Sequence, residues 1–222
     1  MSKQKPWELR AGRRKRPKRA LRKKYLIVTE GQTEAAYFSH YRTTTGPDIV
    51  PVSAGANKLA LVRIAVQMRA ERIKQEKYEE ATDVTWVAMD RDVDPKNSRD
   101  KQLFNEALEL ASREKIKIAF SNDSFELWYL LHFQEVTTPM HRRDIDKKLS
   151  EHLGRTYKSR HTSKVEDLFG EILPNLPEAL RRAERLAAAA VTNGVPPEQA
   201  NPSTSVHELI QAIISEDGFR FL

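Results

Sequence analysis

Cysteine is absent from the 222 residues. Disulfides, thiolate zinc sites and cysteine nucleophiles are therefore excluded, and a reducing cytoplasm is the expected setting. Long apolar runs are also missing. None approaches the ~20 residues that a bilayer span needs, so no membrane association is expected. The N-terminus is basic but lacks an apolar segment of the secretory kind. No glycine loop of the G-x-x-x-x-G-K type exists, so the chain is not itself a P-loop ATPase. His132, His152 and His207 stand alone, without the spacing of a histidine zinc site. No internal repeat is visible.

Charge is plentiful and unevenly placed. The net charge is +7, with 31% of residues charged and 39% hydrophobic. Residues 1–24 hold 12 Lys/Arg and one Glu, so the remainder is mildly acidic at −4. Three segments are expected: a basic flexible arm (1–24), an α/β core (25–140) and a helical C-terminal part packed on it (141–222). The arm cannot bury an apolar face. Arg13, Arg14, Lys15 and Arg16 suit phosphate contact through counterion release, without reading sequence. A solubilising tail is the alternative.

The core reads as alternating strands and helices. Residues 25–29 (Tyr-Leu-Ile-Val-Thr) form a buried strand signal, followed by a helix from Thr33 to Tyr41. Ile49 to Ala54 is a second strand, with Pro51 arguing against a central position. A long helix runs from Asn57 to about Glu80. Asp83 to Met89 is nearly continuous in apolar character, as in strands buried on both faces of a parallel sheet. Asn97 or Ser98 caps a helix to about Glu114. Ile116 to Phe120 is the fourth strand, and Ser121 or Asp123 opens a helix through Leu131. This order implies a parallel sheet flanked by helices. Residues 142–153, 163–192 and 203–216 look helical.

Acidic residues follow the strands. Glu30 comes after strand one, and Asp90 and Asp92, with Asp94 close behind, after strand three. Ligands of open α/β sheets bind beyond these strand ends. Carboxylates gathered there repel, and a cation between them keeps them ionised. Hard oxygen ligands favour Mg²⁺ or Mn²⁺. The alternative is a solvated turn, since Asp and Pro favour turns by themselves. Gly31 would let the backbone turn sharply and approach a ligand.

A second segment, Ser121 to Phe133, places Asn122, Asp123 and Ser124 at the same edge, as ligands or helix caps. Glu126 lies among Phe125, Leu127 and Trp128, where a partly buried carboxylate needs a partner. Trp128, Tyr129, Leu131 and Phe133 read as core. Further on, Arg155, Tyr157, Lys158 and His161 suit phosphate. Asn201-Pro202-Ser203-Thr204 reads as a helix start with free N–H groups for an anion, or as an ordinary cap.

Four motifs in order resemble the RloB family: Val28-Thr29-Glu30-Gly31-Gln32-Thr33-Glu34, Asp90-Arg91-Asp92, the Ser121–Phe133 segment with its Phe-Glu-Leu-Trp block, and Asn201-Pro202-Ser203-Thr204-x-Val206. The resemblance spans nearly the whole chain after the arm. It implies a Toprim-like fold, in which Glu30 with Asp90 and Asp92 would hold Mg²⁺. Glu30 would also serve as general base or acid, and Glu126 would be a fourth member. It further implies anti-phage defence by abortive infection, often beside an ATPase of the AAA or ABC type.

Three functions are weighed. The first is a Mg²⁺-dependent nuclease on DNA or RNA, with Lys58, Arg91 and Lys158 neutralising phosphate. The second is a non-catalytic nucleic-acid-binding or sensor subunit. The third, a phosphoacceptor domain, lacks the Lys it needs after the fourth strand and ranks last. Oligomeric state is not legible in the sequence. If the arm grips nucleic acid, affinity measured by fluorescence anisotropy should fall steeply between about 50 and 200 mM salt. Deleting residues 1–24 should remove most of that salt dependence.

Overall fold

The computed structural model describes residues 22–42, 48–92, 97–157, 163–195 and 200–216, with side chains of 163–167 excepted. Among them are five strands and eight α-helices. The strands are β1 (Lys24–Thr29), β2 (Asp48–Ser53), β3 (Val84–Asp90), β4 (Lys117–Asn122) and β5 (Ser203–Thr204). They form one sheet in the order β2-β1-β3-β4-β5. All neighbouring pairs are parallel except β4 with β5, which is antiparallel. The helices are α1 (Gln32–Ser39), α2 (Lys58–Lys74), α3 (Ser98–Arg113), α4 (Glu126–Leu130), α5 (Arg142–Leu153), α6 (Ser163–Ile172), α7 (Leu176–Thr192) and α8 (Val206–Ile214). No described helix is long and apolar enough to cross a membrane.

The central strands are apolar on both faces because both faces are covered. Along β1, Leu26 and Val28 join a cluster with Leu61, Val62 and Ala65 of α2 and Phe104, Ala107 and Ala111 of α3. Tyr25 and Ile27 point the other way, into a cluster with α1, α4 and the C-terminal helices α5 to α8. Period-two alternation sorts the side chains, and burial on both sides makes the run continuous. Pro51 sits in β2, at the sheet edge, where its missing N–H breaks no central ladder.

Two expectations change. The segment after β4 does not enter a helix at Ser121 or Asp123. The strand continues to Asn122, and α4 begins only at Glu126. Ser203 and Thr204 do not start a helix either. They form β5, paired through Asn122↔Ser203 and Ser121↔Thr204, with α8 starting at Val206. The Ser121 and Thr204 hydroxyls lie 2.8 Å apart, and both residues are buried. The Asn-Pro-Ser-Thr motif thus completes the sheet, with the Thr204 hydroxyl donating to the Phe120 carbonyl at 3.0 Å rather than facing an anion.

The aromatic residues after Glu126 are core. Trp128 is fully buried and its indole N–H donates to the Tyr37 hydroxyl at 2.8 Å, which in turn lies 2.9 Å from the Tyr41 hydroxyl. This chain ties α1 to α4 across the cluster. The Tyr37→Phe substitution leaves a buried indole donor unsatisfied, so it should cost about 1–3 kcal/mol. Urea unfolding should show a lower midpoint with an unchanged slope.

Candidate functional site

The strand order reverses direction between β1 and β3. The chain goes from β1 to β2 on one side, then crosses back to β3 on the other. A crevice opens beyond strand ends at such a point. Glu30 and Asp90 stand at the C-terminal ends of these two strands. The Glu30 N–H donates to the Ala88 carbonyl at 3.1 Å, and the Glu30 carbonyl accepts from the Gly55 N–H at 3.0 Å. Its Oε2 accepts the Asp90 N–H at 3.2 Å. Glu30 is thereby fixed across three strand ends.

Asp90 is held on both oxygens. Oδ1 accepts the Phe125 N–H at 2.7 Å, just before α4. Oδ2 meets Arg142 Nη2, on α5, at 2.5 Å. Asp92 follows on a left-handed backbone (φ 30°), with its side chain 59% exposed and 3.8 Å from the same Nη2. A cleft of about 190 Å³ collects Glu30, Glu34, Asp90, Asp92, Glu126 and Arg142. Glu126 is buried, and the Tyr157 hydroxyl donates to its Oε1 at 3.4 Å.

Glu34 is the residue sequence reasoning passed over. It lies on α1 with 5% exposure, and its Oε2 is buried without a hydrogen-bond partner. Gly31 makes this placement possible. A Cβ at position 31 would lie 2.8 Å from Glu34 Oε2. The Gly31 backbone is extended (φ −119°), so the glycine serves close approach of a side chain and not the sharp turn expected from it. The signal available in the sequence was an acidic residue in the first turn of the helix that follows Glu30. Tyr157, expected to suit phosphate, is buried and donates to Glu126 instead, while Arg142 and Asp146 carried no comparable signal, because α5 reaches the site only through tertiary packing.

The electrostatics follow from crowding. Burial pushes the Asp90 carboxyl well above the usual range, with the Glu34 and Glu126 charges adding to it and Arg142 opposing. Burial raises Glu30 too, against the pull of Lys58 and the Asp90 N–H. Glu34 is pushed up to about 7, by burial first. Asp146, one helical turn after Arg142, is raised to about 6 by burial and by Glu126. The structure thus brings Glu30, Asp90, Asp92 and Glu126 together, with Lys58 close enough to act on Glu30.

The donor set suits a hard divalent cation. All the acids are carboxylates, their charge is under-compensated, and one buried oxygen of Glu34 lacks a partner. Their present arrangement is not a coordination shell: among the described residues no three His, Cys, Asp or Glu side chains are grouped to hold an ion.

The remaining candidates lie elsewhere. Arg91 does not face the cleft. It is 4% exposed, and its Nη1 donates to the Ala200 carbonyl at 2.9 Å, an acceptor shared with Asn122. Its position inside the β4–β5 edge argues against the phosphate contact expected of it. Asp123 neither binds in the cleft nor caps α4. Its Oδ2 accepts the Arg142 N–H at 3.1 Å, at the start of α5. Arg155 pairs with Glu171 at 2.6 Å. Arg13, Arg14, Lys15, Arg16, Asp94, Lys158 and His161 lie outside the described residues.

The RloB-like protein family matches residues 25–213. No curated protein matches the chain.

The raised acids make stability pH-dependent. A Glu34 that titrates near 7 when folded and near 4.5 when unfolded holds its proton more tightly in the folded state. Its contribution is complete below the unfolded value and is lost as pH rises between the two. Glu34→Gln should therefore flatten the decline in stability across that window and melt higher than the parent protein above pH 7. Melting curves at a series of pH values check this, and parallel curves for both proteins refute it.

Proposed function

Because the chain belongs to the RloB-like protein family, we propose that it is a divalent-metal-dependent hydrolase of nucleic-acid phosphodiesters, DNA or RNA, with a Toprim-like use of its strand-end acids. The observation that carries this reading is the cleft at the β1/β3 reversal, where five carboxylates converge against Arg142 and Lys58. The role in anti-phage defence by abortive infection, beside an AAA or ABC-type ATPase, rests on the sequence resemblance.

Glu30, Asp90 and Asp92 would hold Mg²⁺ or Mn²⁺. Such an ion, when bound, lowers the pKa of a water and neutralises charge on a phosphoryl oxygen. The chain's own contribution is positioning. The Phe125 N–H orients Asp90, and the Asp90 N–H orients Glu30. Glu126 and Glu34 add two more carboxyl groups to the cleft lining. Lys58, at the first position of α2 behind the Asn57 cap, brings positive charge to the side of Glu30. Nucleic acid would be gathered by the basic arm.

Cleavage of plasmid DNA and of tRNA in Mg²⁺ or Mn²⁺ tests the reading. Asp90→Asn, which keeps an acceptor for the Phe125 N–H, and Glu30→Gln should each lower the rate on the order of 100-fold or more. Equal cleavage by the parent protein and both variants sinks the assignment. Absence of cleavage, together with nucleic-acid binding that needs no metal, favours the binding-subunit alternative.

A further inference from the structure

We propose that Arg142 is the residue that grips the substrate phosphate, and that Asp90 holds it in reserve until a divalent cation takes its place. The inference rests on the metal-dependent reading above and assigns a role to a residue that no sequence motif marks.

Three observations carry it. First, both Asp90 oxygens already have a partner, and the one on Oδ2 is a side chain that can move. Oδ1 is committed to the Phe125 N–H, and Oδ2 is the oxygen that Arg142 Nη2 occupies at 2.5 Å. A divalent cation bound by Asp90 through Oδ2 would meet Arg142 there. The Arg142 guanidinium and a cation held by Asp90 would therefore compete for Oδ2.

Second, one buried carboxyl oxygen of the cleft has no donor on it. Glu34 Oε2 is buried and unpartnered, and Glu34 is only 5% exposed. Arg142 reaches Asp90 and Asp92, at 2.5 and 3.8 Å, at one side of the carboxylate set. A single guanidinium satisfies part of a site that a small divalent ion, with several oxygens around it, satisfies better.

Third, Arg142 can leave without dragging the fold along. Its backbone is anchored at the first position of α5, with its N–H on Asp123 Oδ2 at 3.1 Å, and α5 is pinned by buried Ile145 and Leu149. Only the side chain needs to swing, and it is 35% exposed. A displaced guanidinium keeps a planar fork of donors at the rim of the cleft. That geometry matches two oxygens of a phosphodiester better than an ammonium does. Exchange would thus couple the two events: with a cation held by the carboxylates, Arg142 would be released to serve as the phosphate ligand.

The test uses the full-length chain, Arg142→Gln and Arg142→Lys, with folding checked by circular dichroism. Mn²⁺ binding is followed by electron paramagnetic resonance. Binding of fluorescent single-stranded DNA and RNA of one sequence is followed by anisotropy, with and without Mn²⁺. Removing the competing guanidinium should tighten Mn²⁺ binding about tenfold in Arg142→Gln, the scale of a charge-assisted contact. The same variant should lose the gain in nucleic-acid affinity that Mn²⁺ gives the parent protein. Arg142→Lys, which keeps charge without the fork, should bind Mn²⁺ as the parent does and recover only part of that gain. Equal Mn²⁺ affinity in the parent protein and Arg142→Gln overturns the exchange but leaves the metal reading standing. An undiminished Mn²⁺-dependent gain in either variant overturns the phosphate role. No Mn²⁺ binding by any of the three overturns both readings together. If Arg142→Gln does not fold, Arg142→Lys alone decides, because a gain equal to the parent's refutes the need for a fork.

Discussion

Like charges crowded out of water set the terms for this molecule. Glu30, Glu34, Asp90 and Glu126 share one cleft, and each is at least partly shielded from solvent. Burial disfavours the ionised forms of Glu30, Glu34 and Asp90, and neighbouring carboxylates add to the penalty. The surrounding structure is arranged around that tension. The Phe125 N–H and the Asp90 N–H serve as donors, the Tyr157 hydroxyl reaches Glu126, and Arg142 brings its guanidinium to Asp90. At Gly31 a Cβ would come within 2.8 Å of Glu34 Oε2, too close for the two to coexist without a shift. The fold tolerates the cluster because the apolar layers on either face of the sheet supply stability that the acids do not.

Most of the architecture was legible because parallel strands and amphipathic helices leave periodic traces. The runs at 25–29 and 83–89 declared buried central strands, and Pro51 correctly pointed to an edge. Asn97 was identified as a possible cap, and its side chain accepts from Arg99 and Asp100 N–H groups. The failures came where local preference and tertiary context disagree. Asn-Asp-Ser before an apolar run looks like a helix start, yet Asn122 pairs with Ser203. Two residues of strand are too few to show a period, so β5 could not be seen in the sequence.

The candidate site was legible along strands and opaque across them. Residues that follow β1 and β3 could be placed at one edge from topology alone, which is how Glu30, Asp90 and Asp92 were chosen. Glu126 was singled out because its apolar neighbours implied burial, and it is buried. Arg91 misled because adjacency in sequence is not adjacency in direction. A residue beside Asp90 in an extended segment faces the opposite way, and Arg91 turns into the β4–β5 edge. Arg142 and Tyr157 come from a part of the chain whose approach to the cleft depends on how helices pack, which spacing cannot encode.

That dependence has a consequence for how the molecule comes into being. The carboxylates reside in the first 126 residues, whereas Arg142, Tyr157 and the strand that closes the sheet at Ser203–Thr204 are synthesised later. A chain still emerging from the ribosome holds the acids of the cleft without their guanidinium partner and with one edge of β4 unpaired. The acids and Lys58 therefore precede Arg142 in synthesis, and a protein interrupted before residue 142 carries the acidic cluster without its guanidinium.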